Sequence, residues 1–93
     1  MKAILMSRIG KVLKLQYEIE LIQKEILKLL SEEQHITEEI RKKIPHTKLY
    51  IYFAQNELIE MNYIEMIKSE RKFPYRITPT GLNYLQKLMQ KER

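Results

Sequence analysis

Apolar residues recur at Leu5, Ile9, Val12, Leu15, Ile19, Ile22, Ile26 and Leu29, in steps of three and four. That spacing lines them along one side of an α-helix. No proline interrupts the run. About a third of a 93-residue chain is thereby committed to helix, and the remainder must fold against it. Two forms fit the pattern: one helix over about 3–31, or two helices with a bend near Gly10. Glycine in a helix interior costs about 1 kcal/mol relative to alanine, so it weakens the helix without ending it. Leu13, Leu27 and Leu30 widen the stripe and predict contacts on more than one side.

The length allows one domain rather than two. An apolar fraction of 44% and a charged fraction of 31% fit a folded chain rather than a disordered one. Cysteine is absent, which excludes disulfides and thiolate metal sites. Aspartate is absent too, and all 12 acids are Glu. Asp-dependent triads and Asp-rich calcium loops are therefore excluded. No apolar run approaches the ~20 residues that span a bilayer. Ile4-Leu5-Met6 is too short for a signal-peptide core, so an intracellular, cytoplasmic location is expected, the host cell's if the source is viral. The net charge of +5 points weakly to an anionic partner.

The charge is segregated. Residues 1–16 hold Lys2, Arg8, Lys11 and Lys14 and no acid; residues 17–34 hold five Glu against Lys24 and Lys28. Positive charge returns around 41–48, in 68–76 and at the C-terminal end.

After the first helix, a short helix is expected over 37–44. Thr37 is its candidate N-cap, Glu38 and Glu39 occupy the first turn, and Arg41, Lys42 and Lys43 the last, as the helix dipole favours. Ile36, Ile40 and Ile44 share one face, and Pro45 ends the helix. A third helix follows from Thr47 to about Met61, with Ile51, Ala54, Leu58 and Met61 as its buried stripe. Asn62 suits a left-handed C-terminal position. Tyr63–Lys68 reads as a strand, Ser69-Glu70-Arg71-Lys72 as a polar turn, and Phe73–Thr78 as the returning strand. Ile36 is a candidate for a short third strand. Thr78 then caps a last helix to about residue 91, with Pro79 at its first position. Leu82, Leu85, Leu88 and Met89 make its apolar face. The fold class is mainly α with a small β-hairpin.

Helix 37–44, a short break at Pro45-His46, and helix 47–61 match a helix-turn-helix. In that motif the second helix enters the major groove. With Ile51, Ala54 and Leu58 facing inward, Lys48, Leu49, Tyr52, Phe53 and Asn56 lie on the other side or its flanks. Core or dimer packing of Tyr50, Tyr52 and Phe53 is the competing reading. Lys68, Arg71, Lys72 and Arg76 cluster on or beside the hairpin tip, a set able to neutralise phosphates. A solvated turn is the alternative there.

The stretch from Ile26 to Leu85 resembles the winged-helix regulators of the PadR and MarR type, especially the small versions of archaea and their viruses. The resemblance is carried by Ile51-Tyr52-Phe53-Ala54, by Leu58-Ile59-Glu60-Met61-Asn62-Tyr63-Ile64, and by Tyr75-Arg76-Ile77-Thr78-Pro79-Thr80-Gly81-Leu82. The last segment matches a Tyr-x-Ile/Leu-Thr-x-x-Gly pattern that leads the second wing strand into the final helix. The chain departs from the family at Asn62, where Gly is usual, and at Leu49-Tyr50, where small polar residues are frequent.

The resemblance implies a winged helix-turn-helix with a long N-terminal helix and a C-terminal helix. Residues 1–16 are an extension and 17–93 the core. The function it implies is sequence-selective binding of double-stranded DNA by a homodimeric transcription regulator. Helix 47–61 would be the recognition helix and residues 66–75 the wing. Thr47 and Lys48 would hold phosphates at the helix entrance. Tyr52 and Asn56 would approach base edges, Asn being able to bridge adenine N6 and N7. Gln55 has the same chemistry but leans toward the core. Lys68, Arg71, Lys72 and Arg76 would grip the flanking backbone, and Arg41, Lys42 and Lys43 would support the first helix across it. Dimerisation is expected through Leu5, Ile9 and Val12 and through Leu82, Leu85, Leu88 and Met89.

For residues 1–16 the main expectation is coiled-coil-like dimerisation. Added DNA contact and attachment to an anionic membrane are the alternatives. An enzyme is not expected: His35 and His46 are the only neutral-pH bases, Ser7, Ser31 and Ser69 have no evident activating base, and no Gly-rich phosphate loop exists. No cofactor, metal or small-molecule substrate is expected. The runner-up function is an architectural or protein–protein module without sequence preference.

Overall fold

The computed structural model describes residues 2–35 and 37–91, with side chains from Lys14 onward. The expected third-strand residue Ile36 and the side chains of Leu5, Ile9 and Val12 lie outside the described residues. Among those described there are four helices and one two-stranded sheet: α1 (Lys2–Glu32), α2 (Thr37–Lys43), α3 (Lys48–Glu60), β1 (Ile64–Met66), β2 (Tyr75–Ile77) and α4 (Pro79–Gln90). This mainly helical layout with a small antiparallel hairpin is compatible with a winged-helix-like arrangement.

Helix α1 runs through Gly10 as one element. Its second half is the hub of the core: Ile22, Ile26 and Leu27 are fully buried and Leu30 nearly so. Burial on adjacent positions follows from having neighbours on several sides, since α3, α4 and β2 all pack on α1. Ile51, Ala54 and Leu58 of α3 close the core from one side, and Leu85 and Leu88 of α4 from another. Ile40 and Ile44 bring in α2 and the turn after it. Aliphatic side chains buried as fully as these on α1 contribute about 1.5–3 kcal/mol each.

Helix α3 ends at Glu60, within a residue of the expected boundary. Met61 is the C-cap and is 57% exposed, so it does not extend the buried stripe. Asn62 takes φ 61°. Its N–H donates to Ile59 O at 3.0 Å, and the Tyr63 N–H donates to Leu58 O at 2.9 Å. These two bonds form a Schellman motif, with Asn in the left-handed place that glycine usually fills.

The strands are shorter than expected, three residues each, paired Ile64 with Ile77, Glu65 with Arg76 and Met66 with Tyr75. His35 extends the sheet by a single residue: its N–H donates to Tyr75 O at 3.1 Å, and Tyr75 N–H donates to His35 O at 2.8 Å.

Helix α4 starts as its sequence predicts. Thr78 accepts from Gly81 N–H at 3.0 Å and Pro79 follows it. The same hydroxyl donates to Asn62 O at 2.6 Å, and Thr78 N–H donates to Tyr63 O at 3.0 Å. Gly81 lies directly against that Tyr63 carbonyl. A Cβ on Gly81 would collide with the carbonyl oxygen and sit 2.9 Å from Ile77 Cγ1. Tyr63 and Tyr84 stack beside this junction, ring centroids 4.4 Å apart.

Gly81→Ala should therefore destabilise the fold by about 2–3 kcal/mol, because backbone must move to admit the methyl group. Urea unfolding checks it, and Thr80→Ala, one position earlier and exposed, should cost far less. Burial, reinforced by Glu20, Tyr63 and Glu57, raises the Tyr84 phenol above its ordinary 10.0. The protonated phenol is thus favoured in the folded state. Stability should be intact below about pH 10 and fall as the pH rises further, and Tyr84→Phe should flatten that fall in urea titrations.

Candidate nucleic-acid interface

The two sides of α3 differ sharply. Ile51, Ala54, Gln55 and Leu58 are buried, and Leu49, Tyr52, Phe53 and Asn56 are exposed. Leu49 is 62%, Phe53 60% and Tyr52 42% accessible, so among the described residues the outward side is largely open. The expectation that Gln55 leans inward holds: its Nε2 donates to Thr37 Oγ1 at 3.3 Å, tying α3 to the start of α2. Phe53 and Tyr52 are not core residues of this chain, whereas Tyr50 packs partly against the core.

The helix pair is braced on its outward side as well. The Arg41 guanidinium carbon lies 5.5 Å from the centroid of the Tyr52 ring, a cation–π contact between α2 and α3. Arg41 is half-buried there, while Lys42, Lys43 and Lys48 are exposed. Thr47 has the extended backbone of an N-cap, but its side chain makes no capping bond. Arg41, Lys42, His46 and Thr47 line one shallow cavity of about 660 Å³ with Glu18 of α1. His46 Nε2 lies 3.3 Å from Glu25 Oε2, which anchors the turn to α1.

The hairpin carries Lys68, Arg71, Lys72 and Arg76, all exposed. They are not equivalent. Arg76 Nε donates to Glu65 Oε1 at 2.6 Å across the strand pair, so this cation is already engaged. Both residues are plain in the sequence, but only the register sets them opposite each other. Glu70, at the tip, accepts from Gln34 Nε2. Lys72 and Phe73 take φ 68° and 50°, an uncommon conformation for side-chain-bearing residues. Phe73 is 55% exposed at that bend.

The α4 residues assigned to dimerisation divide into two pairs. Leu85 and Leu88 are 6% and 5% exposed and belong to this chain's own core, which corrects their assignment to a subunit interface. The reason is geometric: α4 has one apolar side, and α1 occupies it. Leu82 and Met89, on the flanks of that side, remain 41% and 44% exposed.

His35 is 2% exposed, with Glu33 Oε1 3.5 Å from Nε2 and Glu39 Oε1 3.8 Å from Nδ1. Its main chain is part of the sheet edge, a structural use of the residue. Among the described residues no group of three His, Cys, Asp or Glu is placed to hold a metal ion, and no helix is long and apolar enough to cross a membrane. Comparison with family models, curated proteins and solved structures finds no match.

The Arg41–Tyr52 contact is measurable. A double-mutant cycle with Arg41→Gln and Tyr52→Leu, followed by urea unfolding, should give a coupling of about 0.5–1 kcal/mol, the range for a partly exposed cation–π pair.

Proposed function

We propose that this chain is a homodimeric winged-helix transcription regulator that binds double-stranded DNA with sequence preference and performs no catalysis. The observation that carries the reading is the open outward side of α3, together with the exposed cations of α2 and of the hairpin. In this reading α3 enters the major groove, with Tyr52 and Asn56 toward the base edges. Lys48 and Thr47 meet phosphate at its entrance. Arg41, Lys42 and Lys43 lie along the backbone on one side. Lys68, Arg71 and Lys72 grip it on the other, with Arg76 as the weaker member because Glu65 already engages it.

α3 itself carries one Lys and two Glu. Affinity therefore comes from the flanking elements, and choice of sequence from the outward polar and aromatic groups. A two-fold dimer would present two such helices about one DNA turn, ~34 Å, apart and select a pseudo-palindromic site.

The exposure of Leu49 and Phe53 favours a second reading, a winged helix that docks on protein or binds DNA without sequence preference. Binding to random DNA fragments, followed by sequencing and salt titration, separates the two. Specific binding should keep a preference of roughly a thousandfold or more for its site as salt rises. Arg71→Ala with Lys72→Ala should weaken binding to every sequence and lower the salt slope by about 2, one for each cation removed. Asn56→Ala should relax the choice at one base pair by about 1–3 kcal/mol. Equal affinity for all fragments, or no effect of any of these changes, would transfer the outward side of α3 to the second reading.

A further inference from the structure

The loop of the hairpin is closed at its base and open at its tip. Ile67 and Pro74 are buried, and the Ile67 N–H donates to Pro74 O at 2.8 Å. Between them Lys68, Ser69, Glu70, Arg71, Lys72 and Phe73 are all exposed. Two successive turns shape this stretch: the Glu70 N–H donates to Ile67 O at 3.3 Å, and the Phe73 N–H donates to Glu70 O at 3.2 Å. Glu70, the one acid of the loop, is held by Gln34 Nε2, just past the end of α1. Lys72 and Phe73 then follow at φ 68° and 50°.

A bulky aromatic residue at positive φ is a backbone outlier. Glycine or asparagine would hold that place with less strain. Burial of the ring would offset the strain, yet Phe73 is 55% exposed. Among the described residues its ring meets no aromatic or cationic partner. Phe73 is therefore unfavourable twice over, in its backbone and in its contact with water. It is also the one apolar residue of the exposed loop, directly after Arg71 and Lys72, with Lys68 at the loop's other end. An apolar ring among cations has the composition of a DNA wedge: the cations hold phosphates while the ring enters between stacked bases.

We infer that Phe73 is a wedge that enters a base step of duplex DNA at the flank of the bound site and kinks it. Arg71, Lys72 and Lys68 hold the phosphates beside the opened step, which offsets the lost stacking. The two turns of the loop present the ring ready-placed, so little ordering accompanies insertion. The favoured step is pyrimidine–purine, TA or CA/TG, because these unstack most readily. Choice at that position comes from deformability, separate from the base-edge readout assigned to Tyr52 and Asn56. A lipid surface also takes an aromatic ring among cations, but one Phe on a loop buries too little apolar area for stable attachment. One inserted side chain is enough to kink a duplex. The inference rests on the duplex-DNA part of the proposed function and not on its dimeric part.

The test uses the full chain and the tightest-binding duplex from the random fragments, labelled at both ends for energy transfer. The bound duplex should bend by roughly 20–90°, and 2-aminopurine placed at the flanking step should brighten as it unstacks. Phe73→Ala should abolish the bend and the brightening and lower affinity by roughly tenfold, while Phe73→Leu, still an apolar wedge, should keep most of both. Changing the flanking step to AA should weaken the native chain and leave Phe73→Ala unaffected. Without DNA, Phe73→Gly should raise the urea midpoint, because glycine relieves the positive φ. A lowered midpoint would show that the ring serves the fold, and overturns the inference. A straight bound duplex, or a bend that survives Phe73→Ala, overturns it too and leaves the DNA reading standing. Binding to no duplex at all removes both. Attachment to phosphatidylserine vesicles that Phe73→Ala abolishes, with the duplex left straight, assigns the ring to lipid and overturns the inference.

Discussion

The relation between α3, the hairpin and α4 depends on the carbonyls of Asn62 and Tyr63. The Tyr63 carbonyl accepts from Thr78 N–H and is covered by Gly81, and the Asn62 carbonyl accepts from the Thr78 hydroxyl. One short segment thus closes the end of α3, fixes where the hairpin departs and starts α4. Thr78 serves two of these tasks with one oxygen, donating to Asn62 and accepting from Gly81. The Thr-x-x-Gly spacing has a plain physical cause: the hydroxyl caps the helix three residues on, and the residue whose N–H it caps must lack a Cβ to lie against the strand-entry carbonyl.

Much of the framework was legible because it is local. Steps of three and four marked α1, and Gly10 did not break it, since a cost of about 1 kcal/mol is small against the burial gained further along the helix. Asn62 and Thr78-Pro79 marked their helix ends by backbone preference and capping chemistry. Errors arose where a local pattern had two continuations. Met61 keeps the spacing of the α3 stripe, yet the chain turns at Asn62 and leaves it in water. Leu85 and Leu88 offered an apolar face that a partner copy or α1 would satisfy equally, and only the packing shows that α1 takes it. Pairings distant in sequence were not legible at all. Glu65 meets Arg76 through strand register, Arg41 meets Tyr52 through the angle of two helices, and His35 becomes a sheet edge by meeting Tyr75.

The same division applies to the candidate interface. Its cations were visible as clusters, but their availability was not. Arg76 and Arg41 each have a partner within the chain, and Lys68, Arg71 and Lys72 stand on a hairpin whose bend holds two residues at positive φ. In the proposed reading, those engaged cations position neighbouring groups, while the hairpin cations supply most of the salt-dependent affinity.

Helix α1 links the proposed interface to the proposed dimer. Its second half carries α3 on the core, through Ile22 and Ile26 and through Gln23, whose Nε2 donates to Glu57 Oε2 at 2.9 Å. If its first half pairs with a twin, the two outward sides of α3 are held apart by one continuous rod rather than by a linker. Their separation is then set by the position of the two-fold axis along α1, and a shift of that axis by one helical turn would move the two α3 helices by about 11 Å relative to each other. Selection of half-site spacing would accordingly reside in residues that never approach DNA.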